Sequence, residues 1–172
     1  RTGPGVHVWK PGDEVVAPAN YNSPGQVVIA GHAAAVDRAI ARLAELGVRK
    51  AVKLAVSVPS HTILMRDAAH RLGERMAQLE WQQPDVPVVQ NADARAHSGV
   101  EYIRAALERQ LYMPVRWTEC VQRLAANGAT RLHECGPGKV LTGLCKRIDK
   151  ALDARALGTP QELQAALQEN RG

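Results

Sequence analysis

The sequence predicts an α/β fold, and three observations carry the prediction. Runs rich in Val and Ile, such as Gln26 to Ala30 and Lys50 to Val56, alternate with longer segments whose apolar residues recur at helical spacing. Clusters of Asn, Pro and Gly punctuate the boundaries between them. The composition, 45% hydrophobic and 23% charged over 172 residues, supplies enough apolar matter for a real core and enough charge for a solvated exterior.

Taken in order, residues 1–13 are rich in Gly and Pro and read as loop. From Glu14 the run EVVAPANYN reads as a strand that ends in the turn cluster Asn22-Ser23-Pro24-Gly25. Gln26 to Ala30 is a second strand, and the short Pro-Gly connection makes the two antiparallel neighbours. The following segment places Val36, Ile40, Leu43 and Leu46 on one helical stripe, with Gly47 as its stop. Lys50 to Val56 is expected to form a strand. The resulting order, β-β-α-β, is the latter part of a split β-α-β unit whose first strand and helix would lie upstream.

Past His61, Met65 to Trp81 reads as a helix with Leu64, Ala68, Leu72, Met76 and Leu79 on one face, although Gly73 weakens it. Pro84 to Pro87 breaks the chain, and Val86 to Gln90 is a short strand. Gly99 opens a helix that stacks Ile103, Leu107 and Leu111 and is ended by Pro114. Trp117 to Ala126 is the next helix, stopped by Asn127-Gly128. Arg131 to Glu134 is a brief strand, the run from Val140 to Asp149 a helix, and Pro160 to Gln168 a last helix with Pro in its first turn. The later strands are short, as at the edges of a sheet whose centre lies elsewhere.

Several classes are disfavoured. No apolar run is long enough to cross a bilayer, and no signal-peptide core follows Arg1. The chain starts on Arg rather than Met, so residues are expected to precede it. The net charge of +5 is spread among acidic residues, a pattern that fits a solvated surface or an acidic carrier protein better than nucleic acid. With three Trp, three Tyr and no Phe, stacking platforms for bases are scarce. Cys120, Cys135 and Cys145 show no CxxC spacing, and their odd number suits a reducing, cytoplasmic compartment. The histidines and cysteines show no zinc-ligand spacing.

The candidate chemistry centres on Ser57-Val58-Pro59-Ser60-His61, a loop between an expected strand and a helix. Such a loop, stiffened by Pro, is a common setting for acid–base histidines. His61 needs a nucleophile, and none of Ser23, Ser57, Ser60 or Ser98 sits in a GxSxG frame. Ser60 is adjacent to His61, and neighbours in extended chain point apart. Gly136-Pro137-Gly138-Lys139 is too short for a P-loop and reads as a tight turn into a helix whose terminus offers N–H groups to an anion. Arg109 to Trp117 joins two helices, and an uncapped carbonyl there is able to accept a histidine Nδ1–H and fix its tautomer. Asn20 to Gln26 packs amides beside a turn.

Four stretches carry a resemblance: NYNSPGQVVIAGH (Asn20 to His32), VSVPSH (Val56 to His61), RQLYMPVRW (Arg109 to Trp117) and CGPGKVLTGLCKRI (Cys135 to Ile148). In this order and spacing they resemble the C-terminal part of the malonyl-CoA:acyl-carrier-protein transacylases of bacterial fatty-acid synthesis, over nearly the whole chain from about Val15. The resemblance implies an α/β-hydrolase-like acyltransferase core with an inserted ferredoxin-like subdomain. Residues 1–56 would be the latter part of that subdomain and 57–172 the C-terminal part of the core.

It also implies ping-pong chemistry, in which a serine takes malonyl from CoA and passes it to the phosphopantetheine thiol of acyl carrier protein. His61 matches the catalytic base, Gln110 the residue whose backbone carbonyl orients it, and Asn22 a residue lining the substrate cleft. No cofactor is implied, malonyl-CoA being the substrate. The family's GHSxG elbow, its malonyl-binding arginine and its GQG oxyanion stretch belong upstream and are absent here. The chain is therefore expected to need the N-terminal half of the same enzyme as a partner. Alone it should be inactive and marginally stable, with sheet edges uncovered. The alternative is an inactive truncated remnant or carrier-protein-binding fragment.

Overall fold

A computed structural model describes residues 14–169; the loop read over residues 1–13 lies outside the described residues. Strands and helices alternate as an α/β chain, but the strands form three separate two-stranded sheets.

The first sheet is the antiparallel hairpin read from the sequence, β1 (Val16–Ser23) with β2 (Gln26–Gly31). Gly25 turns the corner at φ +76, where a Cβ would be strained. The register shifts just after Pro18, which has no N–H to give to the ladder. Gly31 lies so close to Val15 that a Cβ would sit 2.0 Å from the Val15 carbonyl oxygen, so only Gly fits. Helix α1 (Ala33–Glu45) follows, and Gly47 closes it at φ +81. Val36, Ile40 and Leu43 are half-buried on its inner stripe, but Leu46 is exposed, because the helix has ended before it.

The strand expected over Lys50 to Val56 does not form. Val52, Leu54 and Val56 are all exposed, and no strand among the described residues lies alongside. β-propensity reports how well side chains pack on a sheet, and without a neighbour to complete the ladder it has nothing to act on.

A single 3₁₀ turn (Ile63–Met65) leads into α2 (Arg66–Ala77). Ala69 and Met76 are buried, while Leu64 and Leu79, expected on the same face, are exposed because they flank the helix rather than belong to it. Gly73 marks the close approach to the next helix: a Cβ there would lie 2.6 Å from the Glu108 carboxylate. The expected strand over Val86 to Gln90 shrinks to β3 (Val89–Gln90), paired with β4 (Arg95–Ala96), which the sequence reading missed. Helices α3 (Val100–Gln110) and α4 (Trp117–Ala126) come next, close to their expected bounds.

The third sheet is parallel. β5 (Arg131–Glu134) runs beside β6 (Asp153–Ala156), with α5 (Val140–Ile148) as the crossover. Val121 of α4 and Cys145 of α5 pack with Leu152 and with Ala154 of β6 as a buried cluster, flanked by Trp117, Ala125, Leu132 and Ile148. Helix α6 (Pro160–Glu169) begins with a capping box: the Glu162 N–H donates to Thr159 Oγ1 (3.2 Å), and the Thr159 N–H to Glu162 Oε2 (3.0 Å). No helix among the described residues is long and apolar enough to cross a membrane.

Candidate active site

The end of α3 and the loop before α2 meet at His61. A helix leaves its last carbonyls without intrahelical partners. Two consecutive ones, on Gln110 and Leu111, are turned to His61: the Leu111 oxygen accepts the His61 backbone N–H (2.9 Å), and the Gln110 oxygen lies 2.7 Å from Nδ1. A carbonyl only accepts, so Nδ1 carries the proton and neutral His61 has its lone pair on Nε2. No hydrogen bond among the described residues engages Nε2.

The loop is held in an unusual shape to allow this. His61 sits at φ +63, the left-handed region that costs a residue with a Cβ about 1 kcal/mol or more. Thr62, 2% exposed, donates its hydroxyl to the Pro59 carbonyl (2.7 Å) and ties the loop across the histidine. Arg66, at the start of α2, lies over the Tyr112 ring (5.5 Å) and joins the two sides again.

The same region reaches β1. The Tyr21 N–H donates to the Val115 carbonyl and the Val115 N–H to that of Ala19, both at 2.8 Å, forming an isolated parallel bridge between Asn20 and Val115. Asn22 lies two residues along β1 from this bridge, half-buried, with its amide unbonded among the described residues. His61 and Gln110 are therefore in direct contact, and Asn22 stands on a strand stitched to the loop that follows Gln110. Sequence reasoning missed the Leu111 carbonyl, because every residue carries one, and the Thr62 hydroxyl, because its partner is a backbone carbonyl that only the folded loop brings within reach.

Other candidates resolve differently. The N-terminus of α5, after Gly136-Pro137-Gly138-Lys139, is already occupied: Glu134 accepts the N–H groups of Leu141 (3.0 Å) and Thr142 (2.7 Å). The Thr142 bond leads the effects that hold its carboxyl below the usual range. Lys139 pairs with Glu162 at 3.2 Å. Cys120 and Cys145 are buried, and burial pushes the Cys120 thiol up to about 11 and Cys145 in the same direction, the reverse of what a thiolate nucleophile needs. No serine among the described residues hydrogen-bonds to His61. Among those residues no group of three or more His, Cys, Asp or Glu side chains is placed to hold a metal.

Comparison with known proteins gives this geometry its context. The sequence profile of the acyl transferase domain matches residues 7–162. The chain belongs to the acyl transferase domain family. It is 52% identical over 155 residues to the malonyl CoA-acyl carrier protein transacylase of Escherichia coli strain K12, in an alignment covering 90% of this chain and 50% of that protein. The Salmonella typhimurium transacylase is 53% identical over 154 residues, with the same coverage.

Among solved structures, the malonyl-CoA:acyl carrier protein transacylase of Xanthomonas oryzae superposes with a TM-score of 0.89 at 68% identity, covering 91% of this chain and 50% of that one. A malonyl-transacylase in complex with its type II PKS acyl-carrier protein superposes at 0.88 with 48% identity, over 91% and 50%. The chain thus spans about half the length of the acyl transferase relatives it matches.

Proposed function

We propose that this chain supplies the histidine half of a malonyl-CoA:acyl-carrier-protein transacylase. The observation that supports the reading best is His61, with Nδ1 bonded to a backbone carbonyl and Nε2 unengaged. A base whose far nitrogen is held by an acceptor is locked in the tautomer that accepts a proton at Nε2, the arrangement that histidine–nucleophile pairs require. Here the Gln110 carbonyl stands where a triad has a carboxylate.

In the proposed reaction, a serine from the remainder of the enzyme attacks the thioester carbonyl of malonyl-CoA as Nε2 takes the hydroxyl proton. The C–S bond breaks, and the proton returns to the departing CoA thiolate. Nε2 then takes the proton of the carrier protein's phosphopantetheine thiol, whose sulfur attacks the malonyl-serine ester, and serine leaves with the proton restored. The Gln110 carbonyl stabilises the ring while it is charged, Asn22 lines the substrate cleft, and no resident cofactor is needed.

The finer fold belongs to this reading. Residues 1–56 form the latter part of a ferredoxin-like subdomain inserted in an α/β-hydrolase-like core, whose C-terminal part is 57–172. Lys50 to Val56 becomes a strand once a neighbouring strand from the other half lies beside it. The setting is the cytoplasm. The test is malonyl transfer to acyl carrier protein by this chain alone and mixed with a separately made N-terminal half. Transfer only on mixing, and its loss in His61→Ala, is the expected result. A folded chain that binds carrier protein but restores no transfer would instead mark a non-catalytic fragment.

A further inference from the structure

Asp93 lies in the turn between β3 and β4 with its carboxylate 22% exposed, and it gathers three donors. Its Oδ2 accepts from Arg109 Nη2 and from His97 Nε2, each at 3.0 Å, and its Oδ1 accepts the Arg95 backbone N–H at 3.3 Å. Burial opposes its charge, yet the bonds from His97, the Arg95 backbone and Arg109 prevail and hold the carboxyl below the usual range.

Both ends of α3 are caught by this one group. Arg109 is in the last helical turn, immediately before Gln110. His97 stacks on Tyr102 near the first turn, with ring centroids 6.4 Å apart. The turn is itself rigidly held: Ala94 adopts φ +55, its N–H donates to the Gln90 carbonyl (2.9 Å), and the neighbouring Asn91 carbonyl takes the Arg116 N–H (2.9 Å). Arg116 lies on the far side of the loop after α3, so β3–β4 brackets that loop from both directions.

We propose that Asp93 is a positioning residue for His61, its ion pair with Arg109 fixing the end of α3 so that the Gln110 and Leu111 carbonyls face the histidine. Last helical turns open readily, and carbonyls there move with them unless an outside contact holds the turn. His61 needs two carbonyls from consecutive residues pointing in set directions at once. An anchor one residue before Gln110 supplies that constraint, and proton transfer at Nε2 is sensitive to displacements of about 1 Å. The inference rests on the reading of His61 as the base.

The test reads the His61 ring directly, in this chain, by long-range 1H–15N correlation of labelled histidine, with thermal unfolding recorded in parallel. The parent should show Nδ1–H. Arg109→Met keeps the aliphatic stem and removes the ion pair, and should move the tautomer ratio toward Nε2–H by about fivefold, the factor one neutral hydrogen bond carries. Arg109→Lys, which keeps the charge, should recover most of that change, and Asp93→Ala should match Arg109→Met.

A His61 that stays Nδ1–H in folded Arg109→Met overturns the proposal, as does a parent lacking that tautomer. Collapse of the fold in both Arg109→Met and Asp93→Ala overturns it too, since the cluster would then hold the whole chain rather than one helix end. A tautomer change in Arg109→Met that leaves malonyl transfer by the reconstituted enzyme at the parent's rate would keep Asp93 as the positioner and remove the catalytic role from His61. Transfer lost without a tautomer change would keep that role and overturn the positioning.

Discussion

Replacing Glu134 by Gln isolates a single cap and gives it a pH signature. The carboxylate accepts two N–H groups at the start of α5, which delivers Thr142, Leu144 and Cys145 to the interior. Gln keeps one acceptor oxygen, so one bond survives and the second, with the favourable interaction between carboxylate and helix dipole, is lost. A cap residue contributes about 0.5–2 kcal/mol and a charge at a helix N-terminus about 0.3–1 kcal/mol. The carboxylate is solvent-accessible, so the expected loss is near the low end, about 1 kcal/mol, or about 2–4 °C in Tm for a chain of this size.

The sign with pH follows from the lowered carboxyl pKa. A group with a depressed folded pKa contributes fully above the unfolded value, about 4.3 for Glu, and loses that contribution as pH falls through the folded value. Wild type should therefore exceed Glu134→Gln at neutral pH, and the gap should close in acid. Thermal unfolding followed by circular dichroism at pH 7 and at stepwise lower pH measures it. A gap of the same size at every pH would refute the reasoning, because the lost contribution would then not be electrostatic.

Three further outcomes are expected. Thr62→Val preserves shape but leaves the Pro59 carbonyl without its donor, and should cost about 1–2 kcal/mol in denaturant unfolding while loosening the His61 loop. Gln110→Ala retains the backbone carbonyl that holds Nδ1, so the His61 tautomer should be unchanged by 15N NMR; a change would assign the role to the side chain. In Gly73→Ala the new Cβ meets only the far end of Glu108, which can swing aside, so the helix-propensity gain should prevail. Chemical denaturation should then show a rise of up to about 1 kcal/mol, whereas a loss would mean that the α2–α3 approach does not yield.

Local signals were legible wherever the residues that decide an element are its own. The β1–β2 hairpin follows from Pro24-Gly25 between β-branched runs, α4 from its spacing and the Asn127-Gly128 stop, and β5 from Arg131 to Glu134 with its expected bounds. β6 was missed because Asp-Ala-Arg-Ala has almost no intrinsic strand signal; its ladder with β5 makes it one. The opposite error over Lys50 to Val56 has the same cause, a strong propensity with no neighbour to pair with.

The candidate site divides along the same line. From residue types and their order, the sequence by itself determined that His61 sits on a Pro-stiffened loop, that Arg109 to Trp117 ends one helix and opens another, and that the four stretches together belong with acyl transferases. Only the tertiary structure decided that Nδ1 of His61 meets the carbonyl of Gln110, 49 residues away, that Leu111 takes its backbone N–H, and that Asp93 grips the helix just behind them. The physical reason is that backbone carbonyls are the same in every residue. Which of them is left free and where it points is set by helix ends, by packing and by contacts between residues far apart in the chain, such as Asp93 with Arg109, and residue type alone does not reveal those pairings.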